Sequence, residues 1–409
     1  MSKVKAPGLG SWPALEFEQL AWVSNYEQGA ASRNEIRKHQ GPYRAAIPIK
    51  IAGLDVPVSG ELSAAMDEAS VEIARFDEQM GPDIAPFAAL LLRSESAASS
   101  QIENLTASAR AIAEAELIEG SGAENARQIV ANTRAMSAAI AMSSDLSTDA
   151  ILMMHDALMR PHDPEIAGRW RLEQVWIGGG HLGPHHALFV PPQPSRVSGA
   201  MQDLVAFMDR DDIPVMVQTA IAHAQFETIH PFVDGNGRTG RALIHSLLRA
   251  KGLTRNVTIP VSAGLLTDVD AYFAALNSYR SGDPQAIITR LVDASFTAVT
   301  NGRVLVQELR DIRASWVDRI NVRRGANAWR IADLLLAQPV LNATTIAAAL
   351  NIAPNNVYAP IETLLAAGIV TPGKGKRRGQ IWRSPEVLAA LDAFASRAGK
   401  RSIHSGAPK

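Results

Sequence analysis

His230-Pro-Phe-Val-Asp234-Gly-Asn-Gly-Arg238-Thr-Gly-Arg241 packs a base, a carboxylate, an amide, glycines and two arginines into a dozen residues. Before it, Val215 to Thr228 carries Ala, Ile and Val at helical spacing. After it, Arg238 to Lys251 puts Leu243, Leu247 and Ala250 on one face, so the stretch reads as helix, tight loop, helix. Gly235 and Gly237 permit positive φ and close approach, which lets successive N–H groups point into one concavity. The free N–H donors and the positive end of the second helix face the same space, where anions bind readily. Arg238 and Arg241, three apart, share a helix face and can fork onto phosphate oxygens. Asp234 is acidic in a loop that otherwise attracts phosphate. A Mg²⁺ bridging carboxylate and phosphates is the economical explanation. His230 is the only group in the loop that ordinarily titrates near neutrality, so it can take a proton from an incoming hydroxyl. These parts suit an attack on the phosphate of a nucleoside polyphosphate.

The stretch resembles the Fic motif, His-x-Phe-x-(Asp/Glu)-Gly-Asn-Gly-Arg-x-x-Arg, and matches it at every specified position. The resemblance implies a mainly α fold, a Fic helical core with a small β-hairpin flap. It also implies transfer of AMP from ATP to a Ser, Thr or Tyr hydroxyl of a protein, with release of pyrophosphate. His230 would be the base and Asp234 the Mg²⁺ ligand. Asn236 and the amides of the loop through Gly235, Gly237, Thr239 and Gly240 would hold the α-phosphate. Arg238 and Arg241 would hold the β- and γ-phosphates, and Phe232 would anchor the loop. In the related Doc branch, which transfers phosphate, a Lys typically interrupts Gly-Asn-Gly-Arg. That segment is intact here, which favours AMP transfer.

Ser99-Ser-Gln-Ile-Glu103-Asn104 resembles the inhibitory motif (Ser/Thr)-x-x-x-Glu-(Gly/Asn) of Fic proteins whose brake precedes the core. Leu90 to Glu119 is rich in Ala, Leu and Glu and has no proline, so one helix is expected. By the resemblance Glu103 pairs with Arg241 and takes the place of the γ-phosphate. Gly168 to Gly180 and Ala187 to Pro192 are short β-prone runs with glycine and proline between and after them. They resemble the flap that clamps the target by main-chain pairing, with Val175, Trp176 and Ile177 as the contacts. His181, His185 and His186 lie between these runs without a cysteine or an acidic partner. They read as polar loop residues and not as a zinc site. Further on, Tyr272 would stack on the adenine, while Arg280 stands where many relatives carry an asparagine near the purine.

The 409 residues exceed one typical domain, so two or three are expected. There is no cysteine, which excludes disulfides, thiolate metal sites and cysteine nucleophiles and fits a cytoplasmic location. No apolar run approaches the length of a membrane span, so no membrane association is expected. Composition suggests an N-terminal extension over 1–85, with a helix over Ser63 to Gln79, and a catalytic core over 86–320. From Asn321 to Lys409 the net charge is +8, against −9 for the remainder. Residues 321–396 read as helices over Trp329 to Ala337, Asn342 to Leu350 and Asn355 to Ala367, then two strands around a basic turn. This resembles a winged helix-turn-helix, which could bind DNA or mediate docking or a homodimer. A disordered tail is expected over 397–409. Two rival readings remain open. One is a Fic enzyme that moves another group or removes AMP; the other is a DNA-binding regulator whose Fic core senses nucleotide.

Overall fold

The structure, a computed structural model, describes residues 12–22, 37–80, 85–118, 120, 122–180, 182–373 and 380–399. Its core is helical. α1 (Gly60–Gln79) starts at Ser59, whose hydroxyl accepts from Leu62 N. It is followed by α2 (Ala85–Ile102), α3 (Ala109–Leu117), α4 (Glu124–Ala141) and α5 (Thr148–Met159). Then come α6 (Pro194–Met208), α7 (Val215–Ile229), α8 (Asn236–Ala250), α9 (Val261–Leu266), α10 (Val269–Arg280) and the long α11 (Gln285–Ser315).

α7 forms the centre. It is covered on every side: every residue from Met216 to Ile229 is buried, polar ones such as His223 and Glu227 included, as befits a helix wrapped by others. α6, α8 and α11 pack around it, and α8 also touches α2, α4 and α5. The loop between α7 and α8 is therefore held at the meeting point of five helices.

The helix expected over Leu90 to Glu119 is two helices. α2 ends at Ile102, Asn104 takes a left-handed conformation (φ 63°), and Ser108 caps a fresh start by accepting from Ala111 N. Asparagine tolerates that backbone better than most residues, and serine favours the cap, so local chemistry overrides a composition that suits a helix throughout. The break puts Glu103 immediately beyond the end of α2.

The N-terminal segment supplies two antiparallel strands, β1 (Glu16–Leu20) and β2 (Tyr43–Ile47), with Phe17 opposite Ala46. β2 continues into the flap, since Ala46 N donates to Val190 O (3.0 Å). The flap hairpin is small: a single bridge joins Ile177 and Phe189, and Gly178, Gly179 and Gly180 all have positive φ. At Gly179 a Cβ would lie 2.2 Å from His186 O, so only glycine fits the turn.

At the C-terminal end α12 (Asn327–Leu335), β3 (Val340–Asn342), α13 (Ala343–Leu350), a short 3₁₀ turn (Pro354–Val357) and α14 (Tyr358–Ala366) precede β4 (Thr371–Pro372) and β5 (Ile381–Arg383). The three strands form one antiparallel sheet in the order β3-β5-β4. The basic turn (374–379) and residues 400–409 lie outside the described residues. Of the tail expected over 397–409, the described part begins as helix: α15 (Pro385–Ala398) includes Arg397, which pairs with Glu308 (2.9 Å). α15 packs back on α11 and α2. Asp392 Oδ1 accepts from Ala109 N at the start of α3 (3.0 Å), and Arg383 pairs with Glu114 (2.7 Å).

Candidate active site

α7 ends at His230, whose N donates to Phe226 O (2.8 Å) while its own backbone turns left-handed, φ 49°. A non-glycine residue in that region is strained and needs a surrounding that enforces it. Here the restraints are visible. Arg171, buried, donates from Nε to His230 O (2.8 Å) and from the rest of its guanidinium to Glu173, Pro192 and Ile229 carbonyls. One arginine thus ties the end of α7 to both sides of the flap. Burial pushes its pKa down to about 10, so the charge is retained.

The loop is clamped from within by Asn236. Its Oδ1 accepts from Phe232 N and its Nδ2 donates to Phe232 O, both at 2.9 Å. The side-chain amide expected to hold a phosphate also ties down the loop's own backbone, because Phe232 N and O have no helical partner there, and it keeps one Nδ2–H beyond these two bonds. Phe232 is fully buried and stacks on His155 of α5 at 3.6 Å. His155 Nδ1 accepts from Gly168 N (3.1 Å), so Nε2 carries the proton and donates to Asp234 O (3.0 Å). Burial pushes its pKa down to about 4, which keeps that tautomer neutral.

A cleft of ≈ 280 Å³ opens over this loop, lined by His230, Asp234, Gly235, Asn236, Gly237 and Arg238, with Glu103 at its far wall. Asp234 is well exposed to it (65 %) and lies 3.5 Å from Arg238. A single outward carboxylate with hard oxygen donors suits Mg²⁺, which takes its remaining ligands from phosphate and water. Among the described residues no three metal-binding side chains cluster, so the nucleotide itself would have to complete such a site. Burial first, then the charges of Arg280 and Arg171, push the His230 pKa down to about 3. The imidazole is therefore neutral near pH 7, the form a base requires.

Arg241 lies one turn deeper and is buried. Its Nη2 donates to Glu103 Oε1 (2.9 Å) and to Ser99 O (2.8 Å), and its Nε donates to Ser99 Oγ (2.9 Å). Burial alone would raise the Glu103 pKa, but Arg241 and then Arg238 outweigh it and hold the carboxyl below its ordinary value. Gly237 makes room: a Cβ there would lie 2.0 Å from Glu103 Oε1. Beside this contact, Glu95 of α2 takes His245 Nε2 (2.7 Å) and Ser262 N (2.8 Å). α2 and α8 are thereby stapled twice.

Tyr272 is not in the cleft. It is 1 % exposed, and its hydroxyl donates to His223 Nε2 (2.8 Å), whose Nδ1 donates to Gly240 O (3.1 Å). A ring buried this way cannot stack on a base. Thr239 and Gly240 likewise face the core, and Gly240 is small because Glu227 Oε1 and Phe226 press on it. Arg280 reaches α7, donating to Glu227 O (3.1 Å), and lies over Phe189 at 3.7 Å. In the flap, Ile177 spends its N–H and C=O on Phe189 and Leu188. Trp176 donates to Gly180 O (2.7 Å) and packs edge-on against Trp22, and Val175 is half-buried beside them. Sequence reading missed Glu227, Arg171, His155 and Glu95. Two of these had a signal: Glu227 is three before His230, and Glu95 four and eight before Ser99 and Glu103, the spacings of one helix face.

A histidine set over a helix start, with Arg238 on the first turn, inside a mainly helical fold, suits phosphate chemistry. Residues 145–248 match the Fic/DOC family, so the chain carries a Fic domain. Over 142 residues it is 32% identical to protein adenylyltransferase fic-1 of Caenorhabditis elegans, covering 34% of this chain and 25% of that protein. Over 153 residues it is 29% identical to protein adenylyltransferase Fic of Drosophila melanogaster, covering 36% of this chain and 29% of that protein. The chain thus spans only about a quarter of the length of these curated relatives. Among solved structures, a Fic family protein from Desulfovibrio desulfuricans is 19% identical with a TM-score of 0.47, covering 80% of this chain and 97% of that one.

Proposed function

We propose that this chain is a protein adenylyltransferase that moves AMP from ATP to a hydroxyl side chain of a protein, and that Glu103 restrains it. The observation that carries the reading is the cleft that His230, Asp234, Arg238 and Glu103 line together, with Glu103 paired to the buried Arg241 behind it (2.9 Å). The start of α8 and Arg238 attract the polyphosphate. Asp234 would hold Mg²⁺, which supplies neutralising charge on the phosphates. His230 accepts the proton of the target hydroxyl. The hydroxyl oxygen then bonds to the α-phosphorus, the bond from that phosphorus to the bridging oxygen breaks, and pyrophosphate leaves. With Glu103 on Arg241, the arginine is withheld from the γ-phosphate and a negative charge stands in its place. The relatives' names support the reaction type.

Transfer of label from ATP labelled at the α-phosphate tests this, using the wild type, Glu103→Gly, and Glu103→Gly with His230→Ala. Label should appear on protein with Glu103→Gly and vanish in the double variant. No label from any folded form, with lysate supplied as a source of targets, would defeat the reading in favour of transfer of another group.

The C-terminal unit is read as a winged helix on its order of helix, strand, two helices and two strands. α14, the helix that would read bases, carries no Lys or Arg and bears Glu362. DNA contact would then fall to Asn355, Asn356, Tyr358 and the basic turn; docking against protein, including a second copy, is the other use of such a unit. No described helix is long and apolar enough to cross a membrane.

A further inference from the structure

Two buried polar atoms behind the loop have no hydrogen-bond partner: His230 Nδ1, and Glu227 Oε1, which lies against Gly240. The second carboxylate oxygen, Oε2, is 3.8 Å from Nδ1. Glu227 is the third residue from the His230 end of α7, and its Oε1 lies against Gly240. A buried carboxyl with nothing to receive from is costly, and a glutamine or an aliphatic residue would be cheaper to fold. Its cost is explained if it serves the histidine beside it.

We propose that Glu227 is a positioning residue for His230, accepting the Nδ1 proton so that Nε2 is left as the base and the imidazolium formed in the reaction is stabilised. The proposal rests on the reading of His230 as the base. Three features support it. The i, i+3 spacing and the left-handed turn at His230 bring the ring back over the last turn of α7, toward the carboxyl. The alternative acceptor, the Glu227 carbonyl, already receives Arg280 Nη2 at 3.1 Å. A base needs a third group to set its tautomer, and Nδ1 makes no well-directed hydrogen bond among the described residues, the nearby Glu227 carbonyl included. The proton balance is simple. The target hydroxyl gives its proton to Nε2, Nδ1 keeps its own, and Glu227 gains charge complementarity without taking a proton. The charged and titratable groups around the carboxyl are Arg241 of α8, Glu103 beyond α2, Arg280 and Tyr272 of α10, and His230 itself.

The test uses the full chain in the Glu103→Gly background and compares Glu227 with Glu227→Gln and Glu227→Ala. Isotope-labelled histidine nitrogens, assigned with His230→Ala, report the His230 tautomer by NMR. Label transfer from ATP is measured on the same samples. With Glu227 present, His230 should be the Nδ1–H tautomer; with alanine it should become a mixture. The rate constant kcat should fall about 100-fold in Glu227→Ala, with KM for ATP little changed, and less in Glu227→Gln, whose carbonyl still accepts the proton. The acid limb of the pH–rate profile should move as well, which loss of packing alone does not produce. An unchanged tautomer and unchanged kcat in Glu227→Ala would overturn the proposal and assign Nδ1 to the backbone carbonyl. A tautomer that responds to Glu227 while no form transfers label would preserve the positioning role and remove the transfer reading. Glu227→Gln is nearly the same shape, so it keeps the tautomer comparison available should the alanine variant fail to fold.

Discussion

Glu227→Gln should stabilise the protein, and only above acid pH. Burial is the main cause that lifts this carboxyl from its ordinary 4.5 to about 7. Glu103 adds to the rise, while Arg241 and Arg280 oppose it. Because the folded chain holds the proton where the unfolded chain has released it, stability falls as pH rises from about 4.5 and levels off above about 7. The penalty is under about 1 kcal/mol at about pH 5 and reaches about 3 kcal/mol at about pH 8. Glutamine carries no charge in either state and escapes it. For a chain of this size about 3 kcal/mol corresponds to a rise in Tm of about 3–4 °C. Thermal scans of wild type and Glu227→Gln at the two pH values measure the difference directly, and urea midpoints check it. A Tm rise that is the same at both pH values, or a wild type more stable at the higher pH, would refute the argument that an ionised, poorly solvated carboxylate sits there. Combined with reduced activity in the same variant, the rise would mark a residue kept at the expense of stability.

Ser99→Ala removes the acceptor for Arg241 Nε. It should weaken the restraint by about 1 kcal/mol, so label transfer rises about fivefold, and an unchanged rate would show that Glu103 acts without it. Arg171→Lys cannot reach the four carbonyls that Arg171 serves. It should cost at least about 2 kcal/mol of stability in urea unfolding and speed amide exchange in the flap. Asp392→Ala with Arg383→Ala frees α3 from the C-terminal unit. Faster amide exchange over 103–117 and increased label transfer are expected; unchanged exchange would mean that α4 alone holds that segment.

The motif from His230 to Arg241 was legible because its parts are contiguous: glycine, amide and charge spacing along one loop and one helix face implies an anion site without any tertiary information. The helix cap at Asn342 was equally local. What lay beyond reach were contacts made between elements. Tyr272 looked available for a base until His223 and the core claimed it. Asn236 looked wholly available for a phosphate until the Phe232 backbone took one acceptor and one donor of its amide. Leu90 to Glu119 read as one helix because helix propensity sums over a window, while a left-handed asparagine ends a helix at a single residue.

By itself the sequence determined a mainly helical chain, and it pointed to a loop whose glycines, amide and arginines suit phosphate, a histidine at its edge, and a distant glutamate able to oppose its last arginine. Only the tertiary structure decided that Glu103 reaches Arg241, that Arg171 and His155 hold the loop, and that Glu227 lies under His230. The reason is physical. Charge, hydrogen-bonding capacity and backbone preference belong to a residue and its near neighbours, whereas burial and partnership belong to the space between helices, which exists only once they have packed.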